Sequence, residues 1–328
     1  MTSKPRRNIS ELTAGEPLDQ VFMISQPILR TTQRGDYYIA AYLNDRTGRI
    51  NARMWQASES IFNTLPHEGF VWVRGRTELY QSALQIVVDS IRPVEVDADA
   101  LMEFMPTTDN DVDEMFARLQ QALAQVKNPH LSGLLKTFLD DQELMRLFRI
   151  APAAISLHHA YIGGLLEHTL SVLELALRVL PHYPDLDADL VLMGLFLHDI
   201  GKTTELDYDI SFKYSDQGRL LGHLVKGVML IEEKIKQLEK SSAEPFPRPL
   251  ADCLEHIIVS HHGTLEFGCP VLPALPEAFT VHFLDNLDSK VAWTISEIQK
   301  DTNKTNWTGY IKALETPLFK GLIKNPSK

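Results

Sequence analysis

The spacing of hydrophobic residues changes once along this 328-residue chain, and that change constrains the fold more than any other feature. Up to about residue 95, apolar and aromatic residues often alternate with polar ones, as in β-strands that bury one face. Beyond residue 113 they recur every three or four positions, which is typical of α-helices. The chain is long enough for two domains. We therefore predict a two-domain α+β protein with a β-rich N-terminal domain and an all-helical C-terminal domain.

The N-terminal domain is predicted to contain five strands and one short helix. Glycine-containing turn signals separate the strands, and the helix is expected over Ser58–Leu65, after the third strand. Five strands with a helix after the third is the pattern of an OB-fold barrel. The predicted strands are residues 21–32, 37–44, 49–56, 70–79 and 85–94. We assign residues 1–96 to this domain, 97–157 to an acidic linker with bridging helices, and 158–328 to the helical domain.

The second and third strands, Tyr37–Trp55, resemble those of nucleic-acid-binding OB-folds. If Ile39, Ala41 and Leu43 face the barrel interior, large aromatic residues and arginines face outward, where they suit a platform for single-stranded nucleic acid. Two alternatives remain: a one-residue register shift would put the aromatics in the core, and the same face could pack against the helical domain. The outward set is Tyr38, Tyr42, Arg53, Trp55, Trp72 and Arg74.

The net charge of −11 is unevenly distributed between the two parts of the chain. Residues 1–95 carry 11 Lys and Arg against 10 Asp and Glu, a net charge of +1, whereas the remainder carries 21 against 33, a net of −12. The nearly neutral part is therefore the better candidate for gripping a phosphate backbone. The acidic part could bind a polyanion only if some of its carboxylates hold cations.

Metal-ligand side chains recur at five places in the helical part. Each could have an ordinary role, such as a hydrogen-bonded core histidine or a charge at a helix end, but five such coincidences are much less expected than one site. Imidazoles and carboxylates without thiolates suit Mn²⁺, Fe²⁺, Co²⁺, Ni²⁺ or Zn²⁺, and ligand chemistry does not choose among them. Mn²⁺ is the ion that we expect. Seven ligands are too many for one ion but fit two ions that share a carboxylate. They are His168, His198, Asp199, His223, His261, His262 and Asp285.

These residues resemble the HD phosphohydrolase superfamily over roughly residues 155–300, and most closely its YhaM-type 3′→5′ exoribonucleases. That family also has an OB-fold ahead of the HD domain. The resemblance implies one metal on His168, His198 and Asp285, a second on His223, His261 and His262, and Asp199 as the bridge. The segments that carry it are His158–His168, Leu197–Lys202, Leu221–His223, Ser260–Gly263 and His282–Lys290.

Other charged residues and histidines lie close to the ligands in the sequence. Lys202, one turn beyond Asp199, is expected to neutralise a phosphate oxygen in catalysis together with that aspartate, unless it is only a cation at a helix C-terminus. His158 and His159 contact substrate phosphate or serve in capping and packing. Glu167 and Asp288 are expected to be solvated carboxylates in preference to partners that orient the ligands. His256 and His282 are expected to be structural.

We expect metal-dependent 3′→5′ hydrolysis of RNA, with single-stranded DNA as a further substrate left open. Two alternatives stand: hydrolysis of small or cyclic nucleotides, and a nucleic-acid-binding protein whose HD site is inert. No apolar run reaches the roughly 20 residues of a membrane span, so no membrane association is expected. Cys253 and Cys269, scattered in the sequence, indicate a reducing compartment, the cytoplasm. The sequence leaves a homo-oligomer open.

Overall fold

The structure of the protein is a computed structural model. It describes residues 6–81, 83–96, 104, 107–153, 161–207, 213–242, 244–301, 303 and 305–321. The chain divides into two compact units: the first is Met1–Thr107 with Asp207–Lys213, and the second is Thr108–Leu206 with Tyr214–Lys328. The predicted α+β fold class is confirmed, because strands fill the first unit and helices the second. The domain boundaries at residues 96 and 157 stay predictions.

The first unit is a closed five-stranded barrel, as predicted for an OB-fold. Its strands follow one another around the barrel in the order β1-β2-β3-β5-β4, with β3 and β5 parallel and the other neighbours antiparallel. A short helix, α1 (Glu59–Thr64), follows the third strand. The strands are β1 (Pro17–Thr31), β2 (Tyr37–Asp45), β3 (Gly48–Trp55), β4 (Glu68–Tyr80) and β5 (Ala83–Pro93).

The side chains that alternate along β2 fill the barrel as predicted. Ile39, Ala41 and Leu43 are buried, and Ala41 and Leu43 pack in one cluster with residues such as Phe22. Tyr38, Ala40 and Tyr42, which alternate with them along the strand, are partly exposed. Because neighbouring side chains on a strand point to opposite faces, this burial excludes the register shift that would have put Tyr38 and Tyr42 in the core.

The second unit is built from helices whose ends match their sequence signals. Asn128 accepts hydrogen bonds from the backbone of His130 and Leu131 at the start of a helix that opens with Pro129. No described helix is both long and apolar enough to cross a membrane. The helices are α2 (Val112–Leu123), α3 (Pro129–Leu139), α4 (Gln142–Ile150), α5 (Gly164–Val179), α6 (Ala188–Leu197), α7 (Lys202–Glu205), α8 (Asp216–Ser241), α9 (Arg248–Ser260) and α10 (Pro276–Lys300).

Glycines allow two of these helices to approach each other where polar side chains cluster. A Cβ on Gly201, just before α7, would lie 2.0 Å from the carbonyl oxygen of His223 in α8. Gly222 interrupts α8 with φ of 70° and ψ of 164°, a backbone conformation that favours glycine. The chain after α6 can therefore pack directly on the α8 backbone, and the break in α8 falls immediately before His223.

The barrel offers a test of its own close packing. A Cβ on Gly75, at an irregularity in the pairing of β4 with β5, would lie 2.1 Å from the carbonyl oxygen of Val87. Gly75→Ala should therefore destabilise the barrel by about 1–3 kcal/mol through overpacking. Gly48→Ala is the matched control, since its Cβ meets only a side-chain carbon of Ile9 at 3.8 Å. The free energy of unfolding of both variants is measured by urea unfolding, and hydrogen exchange of barrel peptides assigns the change to the barrel. Equal stability of the two variants would contradict the packing.

Candidate metal centre and nucleic-acid surface

The seven predicted ligand side chains meet in the second unit although they come from three helices and from the turns that follow two others. His168 lies on α5, His223 on α8 and Asp285 on α10, whereas His198 and His261 directly follow α6 and α9. Their ligand atoms form three groups. Within each group, the atoms all lie within 4.8 Å of one another. The groups are His168, His198 and Asp285; His223, His261 and His262; and His198, Asp199 and His261.

Each of the five imidazoles is oriented by an oxygen close to its Nδ1 atom. In His198, His261 and His262 this nitrogen donates to a main-chain carbonyl, at 2.7, 2.8 and 2.7 Å. In His168 and His223 it faces a carboxylate oxygen instead, of Asp288 at 3.0 Å and of Glu205 at 3.4 Å. A proton on Nδ1 leaves the lone pair of a neutral imidazole on Nε2, which is the arrangement found in metal-ligating histidines.

The inward-facing atoms have the wrong chemistry for one another. The Nε2 atoms of His168 and His198 lie 3.3 Å apart, as do those of His223 and His262. In neutral rings that carry their proton on Nδ1, two Nε2 lone pairs at that distance repel each other. Within the described part of the chain, the buried Oδ1 of Asp199 has no hydrogen-bond partner. A cation between these atoms would satisfy both, so the donor set fits divalent metal ions.

The charges of His261 and Asp199 are those that metal ligation needs, whereas His168 keeps a proton that a metal ion would displace. Burial lowers the pKa of His261 to about 3, so its imidazole is neutral at pH 7. Burial alone would raise the pKa of Asp199, but the charge of Lys202 and contacts with His198 hold it well below its usual range. Burial likewise disfavours a charged His168, yet the carboxylates of Asp285 and Asp288 raise its pKa to about 9.

Lys202 lies in the same cavity as the ligands. Its ammonium contacts Oδ2 of Asp199 at 2.6 Å, and its side chain is only 18% exposed. The surrounding carboxylates, Asp199 first, raise the pKa of Lys202 against the opposing effect of burial, so it is cationic at neutral pH. The cavity, about 200 Å³, is lined by Ala153, His168, Asp199, Lys202, His261, His262, Asp285 and Ser289.

The expectation that Asp288 is a solvated carboxylate was wrong. It accepts a hydrogen bond from Ser171 at 2.5 Å and contacts Nδ1 of His168. The signal was its position three residues after Asp285, on the same face of one helix. Glu205 was not predicted at all, although its buried carboxylate accepts a hydrogen bond from the backbone nitrogen of His223 at 3.0 Å.

The remaining residues named from the sequence have ordinary surroundings. Glu167 accepts a hydrogen bond from the Thr108 hydroxyl. His256 accepts one from the backbone of Ala274 at 2.9 Å, and His282 contacts the carbonyl oxygen of His261 at 2.8 Å, which supports structural roles for both. His158 and His159 lie outside the described residues.

The outer face of β2 and β3 carries stacked rings and arginines. The rings of Tyr38 and Trp55 have centroids 5.0 Å apart, and Trp55 is 43% exposed. The guanidinium of Arg53 lies 4.9 Å from the ring centroid of Tyr80, a residue that the sequence did not single out. That of Arg49 lies 3.4 Å from the ring of Tyr42. Rings and cations in this arrangement can bind the bases and phosphates of a single strand.

Trp72 and Arg74 face outward, but on a strand other than β2 and β3. They lie on β4, which pairs with β1 and β5 and has no pairing with β2 or β3. The Trp72 indole donates to Asp19 at 2.8 Å and lies 5.1 Å from the guanidinium of Arg92. Barrel closure inserts β5 between β3 and β4, so Trp72 and Arg74 are not on a strand next to β2 or β3, whereas Tyr80 at the end of β4 contacts Arg53. The part of Trp72 and Arg74 in nucleic-acid binding stays a prediction.

Comparisons with known proteins match both halves of the chain. The family described as HD domain matches residues 165–290, and the OB-fold nucleic acid binding domain matches residues 28–94. The chain is 33% identical over 309 residues to the 3′-5′ exoribonuclease YhaM of Bacillus subtilis, which covers 93% of this chain and 95% of that protein. It is 31% identical to the YhaM of a Geobacillus species, over 95% of this chain and 94% of that protein.

The contact between Asp288 and His168 predicts a loss of metal affinity on substitution. Asp288→Asn keeps the size of the side chain but removes the charge that orients the imidazole, so affinity for Mn²⁺ should fall about 10- to 100-fold. Glu167→Gln is the control, since Glu167 directly precedes His168 but pairs with Thr108. Calorimetric titration of metal-stripped protein measures both. Unchanged affinity in Asp288→Asn would show that this carboxylate does not position His168.

Proposed function

The chain belongs to the YhaM family of 3′→5′ exoribonucleases, and from that premise we propose that it degrades RNA from the 3′ end by metal-dependent hydrolysis of phosphodiester bonds. The observation that carries the proposal is the convergence of seven nitrogen and oxygen ligands around the unpartnered Oδ1 of Asp199. A complete ligand set argues against an inert HD site. Single-stranded DNA is a second candidate substrate, because the rings on β2 and β3 can stack on bases whatever the sugar.

Two divalent ions would occupy the site, with Asp199 as the ligand common to both. His168, His198 and Asp285 would hold one ion, and His223, His261 and His262 the other, which is the division supported by the three groups of ligand atoms. We expect Mn²⁺, although the same imidazole and carboxylate ligands would also hold Fe²⁺, Co²⁺, Ni²⁺ or Zn²⁺. The chemistry such ions supply is Lewis acidity, which makes water more acidic and offsets charge on phosphoryl oxygens.

The protein's own contribution to the reaction is charge and position. Lys202 would meet a non-bridging oxygen of the scissile phosphate, since its ammonium lies in the ligand cavity beside Asp199. Asp288 and Glu205 would keep His168 and His223 aimed inward. A cation already in place stabilises the developing negative charge without reorganising during the reaction.

The outer face of β2 and β3 would hold the part of the RNA that has not yet reached the site. Tyr38, Trp55 and Tyr42 offer rings for bases, and Arg53 and Arg49 offer cations for phosphates. Trp72 and Arg74 would contribute separately and less, because the Trp72 indole is already engaged by Asp19.

The two cysteines support a cytoplasmic location. Cys253 and Cys269 are both free thiols, and only the second is buried. Free thiols without a disulfide partner are typical of a reducing compartment.

The direct test of the function uses RNA labelled at its 5′ end. With Mn²⁺ the protein should give a ladder of products shortened progressively from the 3′ end, and Asp199→Ala should abolish it. Blocking the 3′ hydroxyl should slow degradation, whereas a 5′ block should have no effect. Hydrolysis of small nucleotides alone, with long RNA left intact, would favour the small-nucleotide alternative.

Lys202 gives a quantitative test of transition-state stabilisation. Lys202→Met removes the charge and keeps much of the volume, so kcat should fall about 10²- to 10³-fold while KM changes little. Lys290→Met on the exposed face of α10 is the matched control and should leave kcat unchanged. A Lys202→Met enzyme with normal kcat and a slightly lower Tm would assign the lysine to helix stability alone.

A further inference from the structure

The charge of the chain reverses sign at the end of α10. Residues 96–299 carry 15 Lys and Arg against 31 Asp and Glu, a net charge of −16, whereas residues 300–328 carry 6 against 2, a net of +4. This last segment lies beyond residue 290, where the match to the HD domain family ends. Neither the metal ligands nor the barrel surface draws on it, so its basic character needs a separate explanation.

Part of this segment forms an ordered turn, residues 305–321, which we call the C-terminal hairpin. Single bridges pair Trp307 with Phe319 and Ile311 with Thr316. The backbone nitrogen of Thr308 donates to the carbonyl oxygen of Leu318 at 2.9 Å. Its base is tied to the end of α10, because the Lys320 ammonium lies 2.5 Å from the Asp301 carboxylate and both side chains are largely buried. The hairpin therefore holds its side chains in a defined arrangement.

Three aromatic rings of the hairpin are exposed. Trp307, Tyr310 and Phe319 are 50%, 67% and 45% exposed, and the rings of Trp307 and Phe319 pack with centroids 5.1 Å apart. Lys312 is exposed on the same turn. Three large rings left in water beside an exposed lysine are unexpected for a merely solvated loop. They are the residue types that bind single-stranded nucleic acid, by stacking on bases and neutralising phosphates.

We propose that the C-terminal hairpin is a second binding surface for single-stranded RNA, separate from the barrel; this rests on the RNA-degrading function proposed above. The charge favours RNA over a protein partner, because a polyanion is attracted to the +4 segment and repelled by the acidic stretch before it. The ligand is recognised by its bases and phosphates without regard to sequence, since every base has a face on which a ring can stack.

The helix α10 relates this surface to the metal centre. It carries Asp285 and continues to Lys300, so 15 residues at 1.5 Å each place its end about 22 Å from that ligand along the helix axis. A dinucleotide in the site cannot span that distance, whereas a longer strand can. The hairpin should therefore affect binding and KM of long RNA and leave hydrolysis of a dinucleotide unchanged.

The experiment measures binding without hydrolysis. The full-length protein, with EDTA present, is titrated into a fluorescein-labelled 20-nucleotide oligouridylate, and Kd is read from anisotropy. Tyr310→Ala should raise Kd about 5- to 150-fold, the usual effect of losing one stacking ring. Lys312→Ala should lower the slope of log Kd against log salt by about 0.7. Tyr183→Ala is the control, since Tyr183 is 52% exposed but lies in an acidic segment with Asp185 and Asp187.

The outcomes separate this inference from the function on which it rests. If the wild-type protein degrades RNA and Tyr310→Ala binds within twofold of it, the hairpin is not an RNA surface. A change of oligomeric mass in Tyr310→Ala, with normal RNA affinity, would also overturn the inference by assigning the rings to a contact between copies. A wild-type protein that leaves RNA intact with Mn²⁺ would instead remove the proposed function, whatever the hairpin binds.

Discussion

The metal centre of the second unit depends on one repeated interaction, the contact that orients each of five imidazoles through its Nδ1 atom. Each has its Nδ1 atom next to a carbonyl or carboxylate oxygen, so the Nε2 atoms of neighbouring rings point at one another around Asp199. This arrangement is repulsive without a cation, and it is built from helix ends whose positions depend on close packing at Gly201 and the break at Gly222. The helical fold is therefore the support for a site that metal ions complete.

Local patterns predicted much of this arrangement. Alternation along β2 gave the barrel register correctly, because burial of Ile39 and Leu43 leaves Tyr38 and Tyr42 outside. His168, His198 and Asp199 were recognisable because they are polar groups on, or directly after, largely apolar helices. Asp288 and Glu205 were missed or misjudged, since a carboxylate that orients a ligand looks like a solvated one until the contact is known. Local patterns could not show that Trp72 lies on a strand that does not neighbour β2, because the order of the strands is set when the barrel closes.

A polyanionic substrate and an acidic protein are compatible only through local exceptions to the net charge. The metal centre is one, because bound cations reverse the field of its carboxylates. The face of β2 and β3 is a second, where Arg49 and Arg53 lie against rings. The C-terminal hairpin would be a third. Each exception would pair positive charge with a feature of a nucleic-acid strand: the scissile phosphate at the first, and stacking bases at the other two.

The proposed function requires one carboxylate, that of Asp199, to be a ligand of both metal ions. Reconstitution of metal-stripped protein with Mn²⁺, followed by elemental analysis and electron paramagnetic resonance, tests it most directly. We expect two Mn²⁺ per chain with an exchange-coupled spectrum, because the ions of two-metal sites lie roughly 3.5–4 Å apart. One Mn²⁺ per chain, or two that give uncoupled spectra, would contradict it.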